Sequence, residues 1–164
     1  MIESYVVLAG RIRKEFKELD DLKRLVSRAR RAIGTARTNP EDADLYLDSA
    51  ALNLHDIYSG FERVFKQIAA TVDGNMPSNP EWHRDLLQQM GLDLPQVRPG
   101  VLTAESIRIL DEYLRFRHVV RNVYTFSFDA ERVGRLVAEL NVAFKQIEKE
   151  LLGFADFLEK VGGE

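Results

Sequence analysis

Prolines divide this chain unevenly, and that division constrains its fold more than any other feature. One is Pro40, and the other four, Pro77, Pro80, Pro95 and Pro99, fall within 23 residues. Residues 1–39, 41–76 and 100–164 contain none. A proline inside a helix costs roughly 3 kcal/mol, because it removes an N–H and its ring meets the preceding turn. Long proline-free blocks therefore suit long helices. A β-sandwich or barrel would scatter turn residues every 8–12 positions or so. The expected fold is all-α, an antiparallel bundle of four long helices and one short one. At 164 residues the chain has the length of one domain, 1–164, and buries a core without covalent staples. Having no cysteine, it has no disulfide, zinc ribbon, iron–sulfur cluster or thiol nucleophile.

Apolar spacing fills in the blocks. Tyr5, Leu8, Ile12, Phe16, Leu19, Leu22, Val26 and Ile33 form one stripe, which predicts a single first helix stopped near Gly34. Between Arg11 and Arg37 it carries ten basic and four acidic residues. Asn39, Pro40 and Glu41 suit the start of a second helix. Its stripe runs Leu47, Ala50, Leu54, Ile57, Phe61, Phe65, Ile68 and Val72, and Gly74-Asn75 ends it. The acids Glu41, Asp42, Asp44, Asp48, Asp56 and Glu62 sit on this helix, so cross-helix pairing with the basic first block is expected. A short helix follows over Glu81–Met90, closed by Gly91. The next helix starts at Thr103 and runs to about Phe126. Asp129 caps a last one, whose stripe extends from Val133 to Val161.

Charge and motifs exclude several functions. A net charge of −3 is not that of a strongly cationic nucleic-acid binder, although it allows a local basic site. The early acid and short apolar run of MIESYVVLAGRIRKEF do not make a secretory signal. No window approaches the 18 or so apolar residues of a membrane span. The expected location is the cytoplasm, without a membrane partner. Phosphate-binding glycine loops, H-E-x-x-H and G-x-S-x-G are absent from the sequence. Three scattered histidines without cysteine make no metal site, and no cofactor is expected. His55 reads as a structural hydrogen-bonder.

One segment departs from simple core-in, charge-out patterning: Arg115-Phe116-Arg117-His118-Val119-Val120-Arg121-Asn122-Val123-Tyr124. At about 100° per residue, Arg117, His118, Arg121, Asn122 and Tyr124 share an arc of roughly 160°. Phe116, Val119, Val120 and Val123 oppose it. Ile107, Leu110 and Leu114 continue the polar arc one or two turns earlier. Such a face needs covering, and a second subunit is the simplest cover.

The spacing from Arg117 to Asn122 and Tyr124 resembles the R-x4-H-x-Y motif of the HEPN superfamily, most nearly its HepT-like ribonuclease toxins. The run AALNLHDIYSGFERVFKQIA in the second helix is also similar to that family, so the resemblance spans roughly residues 40–160. It implies a HEPN-like helical bundle and a homodimer whose motifs line one cleft that cuts RNA without a metal. It also implies a partner nucleotidyltransferase antitoxin. Arg117 matches the motif arginine, His118 the polar residue after it, and Tyr124 the tyrosine, an acceptor of AMP that silences the nuclease. Asn122 departs from the family, standing where histidine is usual.

Metal-free RNA cleavage needs a group to take the 2′-hydroxyl proton and cations to hold the phosphate. Arginine suits the second task as a fixed, bidentate donor; Arg117 and Arg121 are the candidates. Histidine suits the first, because the residue titrates near neutrality. An amide does not titrate, so proton transfer moves from Asn122, left to orient, to His118. His83, beside Trp82, is a candidate to reach the same cleft. Three readings follow. One is a toxin acting on tRNA or mRNA. Another is a non-catalytic HEPN-like dimer that binds a nucleotidyltransferase, a nucleotide or RNA. The third is a plain helical scaffold that pairs through the Ile107, Leu110 and Leu114 face, with Arg117 and Arg121 simply partnered by acids of the second helix such as Asp48 or Asp56.

Overall fold

The computed structural model describes residues 2–18, 20–122 and 129–163; side chains at 2, 3, 18, 20–23, 25, 121 and 122 lie outside the description. The helices are α1 (Ile2–Glu18), α2 (Asp20–Thr38), α3 (Ala43–Ile68), α4 (Trp82–Met90), α5 (Ala104–Asn122) and α6 (Ala130–Gly162). Among the described residues, β pairing is limited to an isolated bridge between Leu94 and Arg98. The all-α bundle expected from the proline spacing is therefore the fold.

The first block is helical over 2–18 and over 20–38, with residue 19 outside the described residues. Its stripe keeps one phase throughout, so periodicity cannot register the change of packing partner. Leu8, Ile12 and Phe16 are buried where α1 packs on α6. Val26, Ala29 and Ile33 are buried where α2 packs on α3. Gly34 does not stop α2, which runs on to Thr38; there the Thr38 hydroxyl donates to the Thr35 carbonyl (3.2 Å).

The short connection through a 3-10 turn at Pro40–Asp42 sets α2 and α3 antiparallel. The expected charge pairing between them is not made. Arg28, Arg30, Arg31 and Arg37 stand exposed and form no ion pair with the acids of α3. His55 contacts the adjacent, exposed Asp56 rather than a core group.

The end of α3 widens into a π turn at Ala69–Asp73, and Gly74 closes it at φ 62°. Glycine reaches that left-handed region without a Cβ clash. The proline-rich stretch beyond is anchored by a buried ion pair. Arg98 Nε lies 2.5 Å from Asp73, and the two side chains are 0 % and 2 % exposed. Arg98 also donates to the carbonyls of Leu92, Pro99 and Gln89. Pro95 and Gln96 sit inside a turn in which Val97 N–H donates to Leu94 (3.0 Å), with Gln96 at φ 67°.

Both later starts match the sequence. Thr103 Oγ1 accepts from Ser106 N–H (3.2 Å), and Asp129 accepts from Glu131 N–H (3.0 Å). Residues 123–128, including Val123 and the expected helix end near Phe126, lie outside the described residues. Ile107 and Leu110 need no second subunit to cover them, because they are buried within the chain. Ile107 packs on Gly91, where an added Cβ would come within 3.2 Å of its side chain. Leu110 shares an apolar site with Ile57, Phe61 and Phe144. The Tyr113 hydroxyl ties α5 to α6 by donating to the Leu136 carbonyl (2.7 Å).

Candidate functional site

Helices α4 and α5 form the two walls of a cleft of about 550 Å³. Pro80, Glu81, His83 and Arg84 line one wall; Asp111, Leu114, Arg115, Arg117 and His118 line the other. The proline-rich segment thus contributes a wall rather than a plain linker. Its short helix α4 is fixed from below by Leu86, Leu87 and Met90, all fully buried.

Arg117 is 4 % exposed at the cleft. Burying a guanidinium requires a counter-charge and filled hydrogen bonds. Glu62 of α3 supplies both, accepting from Arg117 Nη1 at 3.0 Å. Its other carboxylate oxygen lies 2.7 Å from His83 Nδ1. In the tautomer with Nδ1 protonated, the ring donates there and Nε2 is the basic nitrogen for a ligand in the cleft; the Arg117 guanidinium competes for the same Nδ1 as an acceptor. Arg117 Nη2 lies 2.8 Å from the same Nδ1, so one carboxylate, one guanidinium and one imidazole are in mutual contact.

Aromatic rings complete the setting. Tyr58 lies beneath Arg117, whose guanidinium carbon is 5.3 Å from the ring centroid. The Tyr58 hydroxyl is buried without a hydrogen-bond partner. Burial pushes the phenol well above its ordinary range; the Glu62 charge adds to that, and the Arg117 charge opposes it. Trp82 stacks on His83 at 3.5 Å between centroids, and Lys66 Nζ lies 4.4 Å from the Trp82 ring centroid.

The geometry brings Arg117, His118 and His83 to one cleft. His118 is exposed there. Arg121 and Asn122 belong to the last turn of α5, but their side chains lie outside the description, and Tyr124 lies outside the described residues altogether. The partner of Arg117 is an acid of the second long block, as the scaffold reading allowed, but it is Glu62 rather than Asp48 or Asp56. Burial raises the Asp48 carboxyl, and the nearby Asp44 adds to the shift.

Glu62 was missed as a site residue, although a signal existed. It follows Tyr58 by four positions, on a face continued by Phe65 and Ala69. A lone carboxylate on such a face is costly unless a cation meets it. Two further guanidiniums line the cleft from exposed positions: Arg84, and Arg115 paired to Asp111 at 2.8 Å. Among the described residues, no three of His, Asp and Glu converge as metal ligands would.

No described helix is long and apolar enough to cross a membrane. No curated protein and no solved structure matches the chain. A family model described as HepT-like protein matches residues 49–158, from the first turns of α3 almost to the end of α6. That stretch is more than half the sequence and includes α3, α4 and α5, the three helices that build the cleft, so the chain belongs to the HepT-like family.

Proposed function

We propose that this chain is a HepT-like toxin, a metal-independent endoribonuclease cutting tRNA or mRNA, formed as a single domain over residues 1–164. The observation that carries this reading is the cleft that gathers Arg117, His118 and His83, with Arg84 and Arg115 at its edge. Arg117 fixes phosphate charge at the cleft floor, and Arg121 adds to it from the next turn. His118 moves a proton, and Asn122 orients. The family reading extends to a cytoplasmic homodimer, to a nucleotidyltransferase antitoxin, and to AMP on Tyr124 as the control. Purified protein incubated with tRNA and with mRNA tests the nuclease. Wild type degrades one of them, and His118→Ala and Arg117→Lys protect it while keeping wild-type helicity. Equal RNA survival across all three proteins sinks the nuclease. Co-expression with an adjacent nucleotidyltransferase tests the control: a mass gain of one AMP appears, and Tyr124→Phe abolishes it.

A second reading, a non-catalytic dimer that binds RNA, a nucleotide or the nucleotidyltransferase, has its own support. The motif histidine position is Asn122, and the Arg117 guanidinium is already held by Glu62. On that reading, RNA is retained in a filter assay with no new ends, and Arg84→Ala with Arg115→Ala releases it.

A further inference from the structure

Asn122 leaves the histidine position of the α5 motif without a titrating group, while α4 places an oriented histidine on the facing wall. We propose that His83 and His118 divide the two proton transfers of RNA cleavage, with His83 as base and His118 as acid. This rests on the ribonuclease reading above, and adds to it the residue that starts the reaction.

The case for His83 is its fixation from three sides. Glu62 holds Nδ1 at 2.7 Å, Trp82 stacks on the ring at 3.5 Å, and Arg117 Nη2 stands 2.8 Å from Nδ1. Glu62 is itself 4 % exposed and tied to Arg117, so it cannot swing away. The Glu62 carboxylate favours Nδ1–H, and so a basic Nε2, against the Arg117 guanidinium, which asks Nδ1 to accept. A phosphate that draws Arg117 away leaves Nδ1 to Glu62, and the carboxylate then steadies the imidazolium that results. The same contact places a guanidinium beside that imidazole, where a phosphate between the walls meets it. His118 follows Arg117 in sequence and lines the opposite wall. A cleft with a histidine on each wall and an arginine at its floor has the parts for in-line attack.

The step balances without another reactant. The 2′-hydroxyl gives its proton to His83 Nε2 as the 2′-oxygen bonds to phosphorus. The bond from phosphorus to the 5′-oxygen breaks, and protonated His118 gives its proton to that oxygen. The products are a 2′,3′-cyclic phosphate and a 5′-hydroxyl. Solvent then resets both histidines. Glu62 is a positioning residue here, acting through His83.

The test uses an RNA that wild type cuts, and the same RNA with sulfur replacing the 5′-oxygen at that bond. A thiolate leaves without being protonated, so the sulfur RNA needs a base but no acid. His83→Ala, on a quarter-exposed side chain, loses on the order of 10²–10⁴-fold in rate on both RNAs. His118→Ala loses a similar factor on ordinary RNA and returns to near the wild-type rate on the sulfur RNA. Glu62→Gln lowers kcat on both RNAs and moves the acid limb of the pH–rate profile, which a loss of stability alone would not do. Circular dichroism confirms that each variant is folded. Wild-type rates for His83→Ala, with Arg117→Lys inactive, overturn the assignment and leave the ribonuclease reading standing. Rescue of His83→Ala by sulfur, without rescue of His118→Ala, also overturns it. No cleavage of either RNA by wild type removes the ribonuclease reading and this proposal together.

Discussion

Arg117 and Glu62 hold each other in a place where neither charge is tolerated alone. Their side chains are 5 % and 6 % exposed, so each depends on the other in place of lost hydration. Removing one partner of such a pair costs about 3–5 kcal/mol, because the other stays buried and uncompensated. Arg117→Ala is therefore expected to lower the urea midpoint strongly without changing the slope of the transition. The double variant Glu62→Leu with Arg117→Met recovers most of that loss, since both charges leave together. A double variant as unstable as the sum of its singles would show that the two residues do not act as a pair. Tyr58, beneath them, predicts the opposite sign. Its hydroxyl is buried and unpaired, and a group in that state costs about 1–3 kcal/mol. Tyr58→Phe keeps the ring under Arg117 and is expected to raise the melting temperature. At this scale the sequence marked Arg117 and His118, because polar residues on a helix that must be covered stand out, and His83 only by its place beside Trp82 in the proline-rich segment. It did not mark Glu62, because which acid of α3 meets Arg117 depends on how α3, α4 and α5 cross, and periodicity carries no crossing geometry.

The elements were legible wherever a cap or breaker residue had a local job. Thr103, Asp129, Gly74 and Gly91 each act within a few residues of where they stand, so their roles can be read without the fold. The change of packing partner along the first block, from α6 to α3, was not legible from the stripe, because periodicity names no partner. In the stretch between α3 and α5 the short helix α4 was legible, and the rest only as irregular. What organises it is Arg98, which reaches across 25 residues of sequence to Asp73. Arg98→Ala is expected to cost about 3–5 kcal/mol, since it strands the buried Asp73 carboxylate. It also takes the Arg98 donor from the carbonyls of Leu92 and Pro99, and leaves that of Gln89 only the Leu92 N–H. Amide hydrogen exchange measures how far the damage spreads: protection falls first over 89–102 and then in α4. Loss confined to residues 97–99 would mean that the cleft wall stands without the ion pair.

At the scale of the whole molecule, the bundle carries two phenols that burial keeps protonated, and this fixes its alkaline limit. Tyr58 and Tyr113 are both pushed well above the ordinary range, chiefly by burial. Neighbouring carboxylates, Glu62 for Tyr58 and Glu139 for Tyr113, add to the shift. The unfolded chain ionises its tyrosines near pH 10. Above that pH the unfolded state holds fewer protons than the folded one, so stability falls as pH rises. Each buried phenol removes about 1.4 kcal/mol per pH unit, and two of them remove about 5 kcal/mol by pH 12. That is comparable to the whole stability of a typical domain, about 5–15 kcal/mol. Stability is therefore expected to fall steeply above pH 10, with cooperative unfolding at about pH 12 or above. Of its five tyrosines, Tyr58 and Tyr113 ionise only in that transition, seen as a step at 295 nm coincident with loss of helical signal. Tyr58→Phe with Tyr113→Phe removes the coincident step and moves unfolding to higher pH, provided the lost Tyr113–Leu136 hydrogen bond is corrected for by its cost at neutral pH. Smooth ionisation of all the tyrosines before any loss of helix would show that neither phenol is sealed in the core, and that the floor beneath Arg117 is open to solvent.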